Sequence, residues 1–110
     1  MQLPNADKAV VDQKKIQEYL LSTTHPDGWS KAQFFLGIGF EAEKWHVFAV
    51  SLRRHGQDNS VTDVVESAYG IRYTVDGDLK SPSGHRVRVR TVWIVEKDRK
   101  IPRLITAYPL

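Results

Sequence analysis

The chain has 110 residues, room for one domain with one modest core. At 41% hydrophobic and 26% charged it falls in the globular range, and no apolar run nears the ~18 residues needed to span a bilayer. It has no cysteine, which excludes disulfides, thiol nucleophiles and thiolate metal sites, and its net charge of +3 favours an acidic partner.

Residues 1–11 read as a lead-in strand or arm and lack the apolar core of a signal peptide, so a cytoplasmic protein is expected. Asp12 is a good N-cap for a helix running to about Leu21, with Ile16, Tyr19 and Leu20 on one face and Tyr19 in the core. The stretch SerThrThrHisProAspGly, residues 22–28, breaks that helix, because Pro26 keeps His25 out of helical dihedrals and Gly28 permits a turn. Ser30 is expected to cap a short second helix, with Gln33 completing a capping box and Gly37 and Gly39 ending it. Lys31 then sits in the first turn, where the helix dipole disfavours a cation. That misfit points to a role outside the helix. Glu41 opens a third helix, in which Trp45, Phe48, Ala49 and Leu52 form an apolar stripe; His55 falls in its last turn and Gly56 ends it.

The rest reads as strands. Residues 61–68 are a plausible first strand. Ile71, Tyr73, Val75 and Leu79 alternate with polar residues in a second, and residues 86–95 form a central strand with mostly apolar odd positions. Pro102 leads into a last strand over 103–108. Helices (12–56) followed by an antiparallel meander (61–108) make the class α+β, with N-terminal helices packed on a four-stranded antiparallel sheet in one domain over 1–110. Trp45, Phe48, Phe34, Ile16 and Leu20 should be buried against Val75, Val87 and Val89. The outer face would present Arg72, Thr74, Arg88 and Arg90. Thr106 and Tyr108 would join them if the last hairpin pairs Arg90 with Thr106, whereas a one-residue slip would turn both away.

Charge is uneven. Residues 80–103 hold eight basic side chains and two acidic ones, while the remainder is mildly acidic. No metal site is expected, since the four histidines lack ligand spacing, and no phosphate-binding glycine loop or nucleophile elbow is present. What remains suits phosphodiester cleavage without a metal or other cofactor. With RNA the substrate's own 2′-hydroxyl is the nucleophile. The protein then needs a proton-transfer group, cations around the phosphorane and orienting hydroxyls. His25, Lys31, Arg88, Arg90, Thr106 and Tyr108 supply these types, although a turn histidine can equally serve its own backbone.

The blocks LPNADKAV (3–10), YLLSTTHPDGWSKAQFF (19–35), YGIRYTV (69–75), VRTVWIV (89–95) and PRLITAYP (102–109) resemble a bacterial family of unknown function with the pattern LPNA, YLL…HPxGxxKAxxF, YGxxY, VRTxW and PRLxTxYP. The resemblance covers nearly the whole chain. Similar domains form C-terminal toxin tips of contact-dependent inhibition proteins, which resemble the barnase/EndoU/colicin/RelE group of metal-independent ribonucleases. It implies an endoribonuclease of toxin type acting on tRNA or another structured RNA. His25, Lys31, Arg90, Thr106 and Tyr108 would be the active-site residues, with Arg72, Arg86, Arg88, Thr91 and Arg103 binding RNA. A free-standing chain of this kind would have a cognate antitoxin or immunity protein as partner. The alternative is a non-catalytic RNA- or protein-binding module on the same basic sheet. A third reading, the neutralising partner of a toxin, fits the basic charge less well.

Overall fold

The computed structural model describes residues 1–110. The N-terminal arm begins beside the first strand, where Met1 O accepts from Val61 N, and carries a single 3-10 turn at Ala6–Lys8. At Val10 it forms a parallel bridge to Arg103, on the far edge of the sheet. It then enters a short helix, α1 (Gln13–Lys15), which widens directly into a π-helical turn, Ile16–Leu20. Helix α2 (Trp29–Gly37) follows the His25–Gly28 turn, and a 3-10 turn at Ala42–Lys44 leads into α3 (Trp45–Asp58).

The four strands β1 (Val61–Ser67), β2 (Gly70–Lys80), β3 (Arg86–Glu96) and β4 (Arg103–Pro109) pair in the order β1-β2-β3-β4, all antiparallel. The fold is therefore α+β, with the helices on one face of the sheet.

The alternation decides which face is buried. Tyr73, Val75 and Leu79 of β2 and Val89, Thr91 and Trp93 of β3 point into the helical layer and are buried. There they meet Ile16, Leu20, Phe35, Phe40, Phe48 and Leu52. The rings of Phe35 and Phe40 lie 4.7 and 4.3 Å from that of Phe48. Trp45, Phe34 and Val87 pack at the rim of this core, only partly buried, because each stands where its layer runs out.

Three local expectations give way to tertiary packing. Gly28, not Ser30, is the N-cap residue of α2, and no side chain caps it. Gly56 does not end α3, which continues to Asp58. Its use is close approach: a Cβ at Gly56 would lie 3.0 Å from Trp93 Cζ2. The last hairpin pairs Arg90 with Tyr108 and Val92 with Thr106, two residues from the register expected. An even shift keeps both side chains on the arginine face. The pairing then skips Ile105, a β-bulge on the edge strand, so that Leu104 lies opposite Trp93 and is buried.

Candidate functional site at the open edge of β4

The outer face of the sheet can be read as rungs across β2, β3 and β4. Lys80 faces Arg86, Asp78 faces Arg88, and Asp76 faces Arg90, which faces Tyr108. Thr74, Val92 and Thr106 form the next rung, and Arg72, Ile94 and Arg103 the last. The basic residues expected to bind RNA are thus spread along the whole face. Lys80 opposite Arg86 is a like-charge rung that an anion would relieve. Arg103 pairs with Glu96 at an exposed position, an interaction worth little by itself.

Arg90 is held more firmly. Its Nε and Nη2 donate to the two carboxylate oxygens of Asp76 at 2.7 and 2.8 Å, and its guanidinium carbon lies 6.0 Å from the centre of the Tyr108 ring. The Arg90 bond keeps the Asp76 carboxyl below the usual carboxylate range, and the same bond, with Tyr108, raises the affinity of Arg90 for its proton.

A second group assembles at the β4 edge from three different elements. The π-turn of residues 16–20 carries Tyr19 to the edge strand, where its hydroxyl lies 3.4 Å from Thr106 Oγ1. Lys31, from the first turn of α2, donates to the same phenolic oxygen. The His25 ring stands edge-on to the Tyr19 ring, with centroids 5.0 Å apart at 81°. The turn that bears His25 is built against Tyr19 as well. A Cβ at Gly28 would run into the Tyr19 carbonyl oxygen and lie 3.1 Å from its ring, so only glycine fits there.

His25 Nδ1 accepts from the backbone N–H groups of Asp27 at 3.0 Å and Gly28 at 3.2 Å. A nitrogen that accepts two N–H groups carries no proton, so the neutral ring holds its proton on Nε2. In that tautomer Nε2 is a donor at the free edge of the ring. Tyr19, expected in the core, is only half-buried. Burial pushes its phenol up, but bonds from Lys31 and Thr106 and the charges of Lys31 and Lys15 outweigh this and bring it below its ordinary value.

Four of the five proposed active-site residues thus fall into two neighbouring pairs. His25 and Lys31 sit with Tyr19 at the β4 edge, and Arg90 faces Tyr108 across the sheet. Thr106, two residues from Tyr108 on the same face, joins them, one strand repeat of roughly 7 Å away. Thr91 does not belong to the site. It is fully buried on the opposite face, because it occupies an odd position of β3. There Trp93 Nε1 donates to its Oγ1 at 2.8 Å, and the oxygen lies 2.9 Å from Nδ1 of the buried His55. His55 Nε2 reaches the carbonyls of Val89 at 2.8 Å and Gly77 at 3.1 Å. Burial lowers the affinity of His55 for a second proton. No group of three histidines, aspartates or glutamates stands together in a way that could hold a metal ion, and no helix is long and apolar enough to cross a membrane.

The sequence matches the model of DUF6883, a domain of unknown function, over residues 2–110. The chain belongs to that family. Among solved structures, a chain from a contact-dependent growth inhibition toxin–immunity protein complex of Klebsiella pneumoniae 342 shares its fold, with a TM-score of 0.68. The match covers 94% of this chain and 95% of that one at 20% identity, so it is the fold that the two have in common. No curated protein matches the sequence.

Proposed function

We propose that this family member is a small metal-independent endoribonuclease of toxin type, which cuts tRNA or another structured RNA through the RNA's own 2′-hydroxyl. The observation that carries the reading is the convergence at the β4 edge. Tyr19 brings His25 and Lys31, from one turn–helix segment, to Thr106, 87 residues further along the chain and two residues from Tyr108, which faces Arg90. Lys31 can stabilise charge on a phosphate with the two ammonium protons it does not use on Tyr19. Thr106 and Tyr108 can orient the phosphodiester, and the arginines along the sheet face can track the backbone. RNA would be held in large part by phosphate contacts, so binding would weaken steeply with salt. The likeness to a chain of a toxin–immunity complex supports a dedicated protein partner that covers this surface in the cytoplasm.

A second reading, a non-catalytic RNA- or protein-binding module, draws on a different observation: Asp76 already occupies Arg90, and the turn backbone already occupies His25 Nδ1. The two part in a cleavage assay on total tRNA. The nuclease reading expects cutting that persists in EDTA and leaves a 2′,3′-cyclic phosphate on the 5′ fragment. A 2′-deoxy substitution at the cut site should block it. No cutting of any RNA favours the binding module, and cutting that EDTA abolishes and magnesium restores overturns the mechanism.

A further inference from the structure

We infer that Tyr19 is the catalytic base of this site, and that His25, Gly28 and Lys31 position it. The inference rests on the nuclease reading above and names the group that reading leaves open, the one that takes the 2′-hydroxyl proton.

Hydrogen-bond valence carries the argument. An ammonium can only donate, so the Lys31 bond fills a lone pair of the Tyr19 oxygen. The Thr106 hydroxyl, 3.4 Å away, can donate to the same oxygen. Two cations also lie over the Tyr19 ring, Lys31 at 4.8 Å and Lys15 at 5.3 Å from its centre. No carboxylate or carbonyl is bonded to the oxygen to take a phenolic proton. One obligate donor, Lys31, a second cation, Lys15, and a long contact to a hydroxyl that can donate or accept are surroundings that favour a phenolate. A phenolate oxygen so held keeps capacity for one more donor, and the ribose 2′-hydroxyl is a donor.

Two further observations agree. Tyr19 lies in a π-helical turn, a rare distortion of a helix that recurs at functional sites. It also lines an open cavity of about 790 Å³ with Lys14, Lys15 and His25, within the roughly 300–1,000 Å³ usual for ligand sites. Asp12 and Glu18 line the same cavity. They are the acidic groups that oppose the lysines there, although neither is bonded to the phenol. The turn motif then has one consistent use. His25 packs its ring edge on Tyr19, Gly28 lets the turn close on the Tyr19 backbone, and Lys31 holds the hydroxyl.

In the step proposed, the 2′-hydroxyl proton passes to the Tyr19 oxygen and the 2′-oxygen forms its bond to phosphorus. The bond from phosphorus to the 5′-oxygen breaks with its electron pair, and that oxygen takes a proton from water. The phenol returns its proton to solvent, so the protein ends as it began.

The test measures initial rates of tRNA cleavage in EDTA against pH, for the wild type, Tyr19→Phe, Lys31→Gln and the control Tyr69→Phe, whose ring is 80% exposed in the β1–β2 turn. A base must lose its proton first, so the wild-type rate should climb with pH and level off below the ordinary phenol range. Tyr19→Phe should cost about 10²–10⁴-fold and lose that climb. Lys31→Gln should move the climb to higher pH, and Tyr69→Phe should behave as wild type. Absorbance at the tyrosinate band should show one early ionisation that Tyr19→Phe removes. If the wild type cuts and Tyr19→Phe cuts as fast, or Lys31→Gln leaves the pH profile in place, the inference falls and the nuclease reading stands. If the wild type cuts no RNA, both fall together. Thermal unfolding of each variant separates lost chemistry from lost fold; should Tyr19→Phe melt early, the Lys31→Gln profile decides.

Discussion

Two polar clusters, one buried between sheet and helices and one at the β4 edge, differ in how their hydrogen bonds close. In the core the directions form a chain with no loose end. The carbonyls of Val89 and Gly77 can only accept, so His55 carries its proton on Nε2; Nδ1 then accepts from Thr91, whose oxygen accepts from the Trp93 indole. Every donor there has an acceptor, and no buried side-chain polar atom in the protein is left without a partner. At the β4 edge the count does not close. Lys31 donates to the Tyr19 oxygen and keeps protons to spare, while the Tyr19 and Thr106 hydroxyls face each other at 3.4 Å, where either can donate. A closed network specifies a fold, whereas an open one at a half-exposed position has capacity for a ligand.

Breaking the closed cluster should have the largest effect on stability. His55→Ala leaves two carbonyls and the Thr91 hydroxyl unpaired around a cavity and should cost about 3–5 kcal/mol in denaturant unfolding. Thr91→Val removes one link and should cost about 1–3 kcal/mol, with cleavage per folded molecule unchanged. Acid should reveal the same cluster. The His55 value is depressed in the folded state, so the unfolded chain binds the proton first. Stability is therefore complete above about 6.5, the ordinary histidine value, and declines as pH falls from there towards the folded value. Asp76 is also depressed, and its contribution is lost only at lower pH, below the ordinary carboxylate range. A His55 variant that still folds should lose the first decline and keep the second.

Breaking the outer site should act chiefly on cleavage. Arg90→Ala should slow cleavage by about 10²–10³-fold. It should also cost some stability, since Asp76, only 15% exposed, loses the bond that holds its carboxyl down. Gly28→Ala tests the join between the two kinds of effect. Its Cβ meets the Tyr19 backbone, so both stability and activity should fall.

Much of this was legible in the chain. The strand alternation in β2 and β3 assigns the two faces, and the break at Pro26–Gly28 lies where composition puts it. What was not legible depends on contacts distant in sequence. Tyr19 shares the apolar face of its helix with Ile16 and Leu20, and only the π-turn swings it out to Thr106. His55 reads as a cation favoured at a helix end, until the carbonyls of β2 and β3 claim it. Thr91 stands among arginines in sequence, yet its odd position in β3 already put it on the apolar row. The β4 register rests on the bulge at Ile105, a local irregularity without a residue signature.

The smallest expected effect concerns the outer face. Arg88→Ala should weaken RNA binding uniformly across sequences and reduce the slope of log affinity against log salt by about 1. Arg53→Ala, on α3, should leave that slope alone. Equal losses at both would mean diffuse attraction.

The comparison is tested most directly by the initial rate of tRNA cleavage in EDTA, per folded molecule, for Lys31→Ala beside Thr91→Val. Lys31→Ala should lose about 10²–10³-fold, and Thr91→Val should keep a near wild-type rate. A Lys31→Ala protein that cuts at the wild-type rate, or a folded Thr91→Val protein that loses as much as Lys31→Ala, would contradict it.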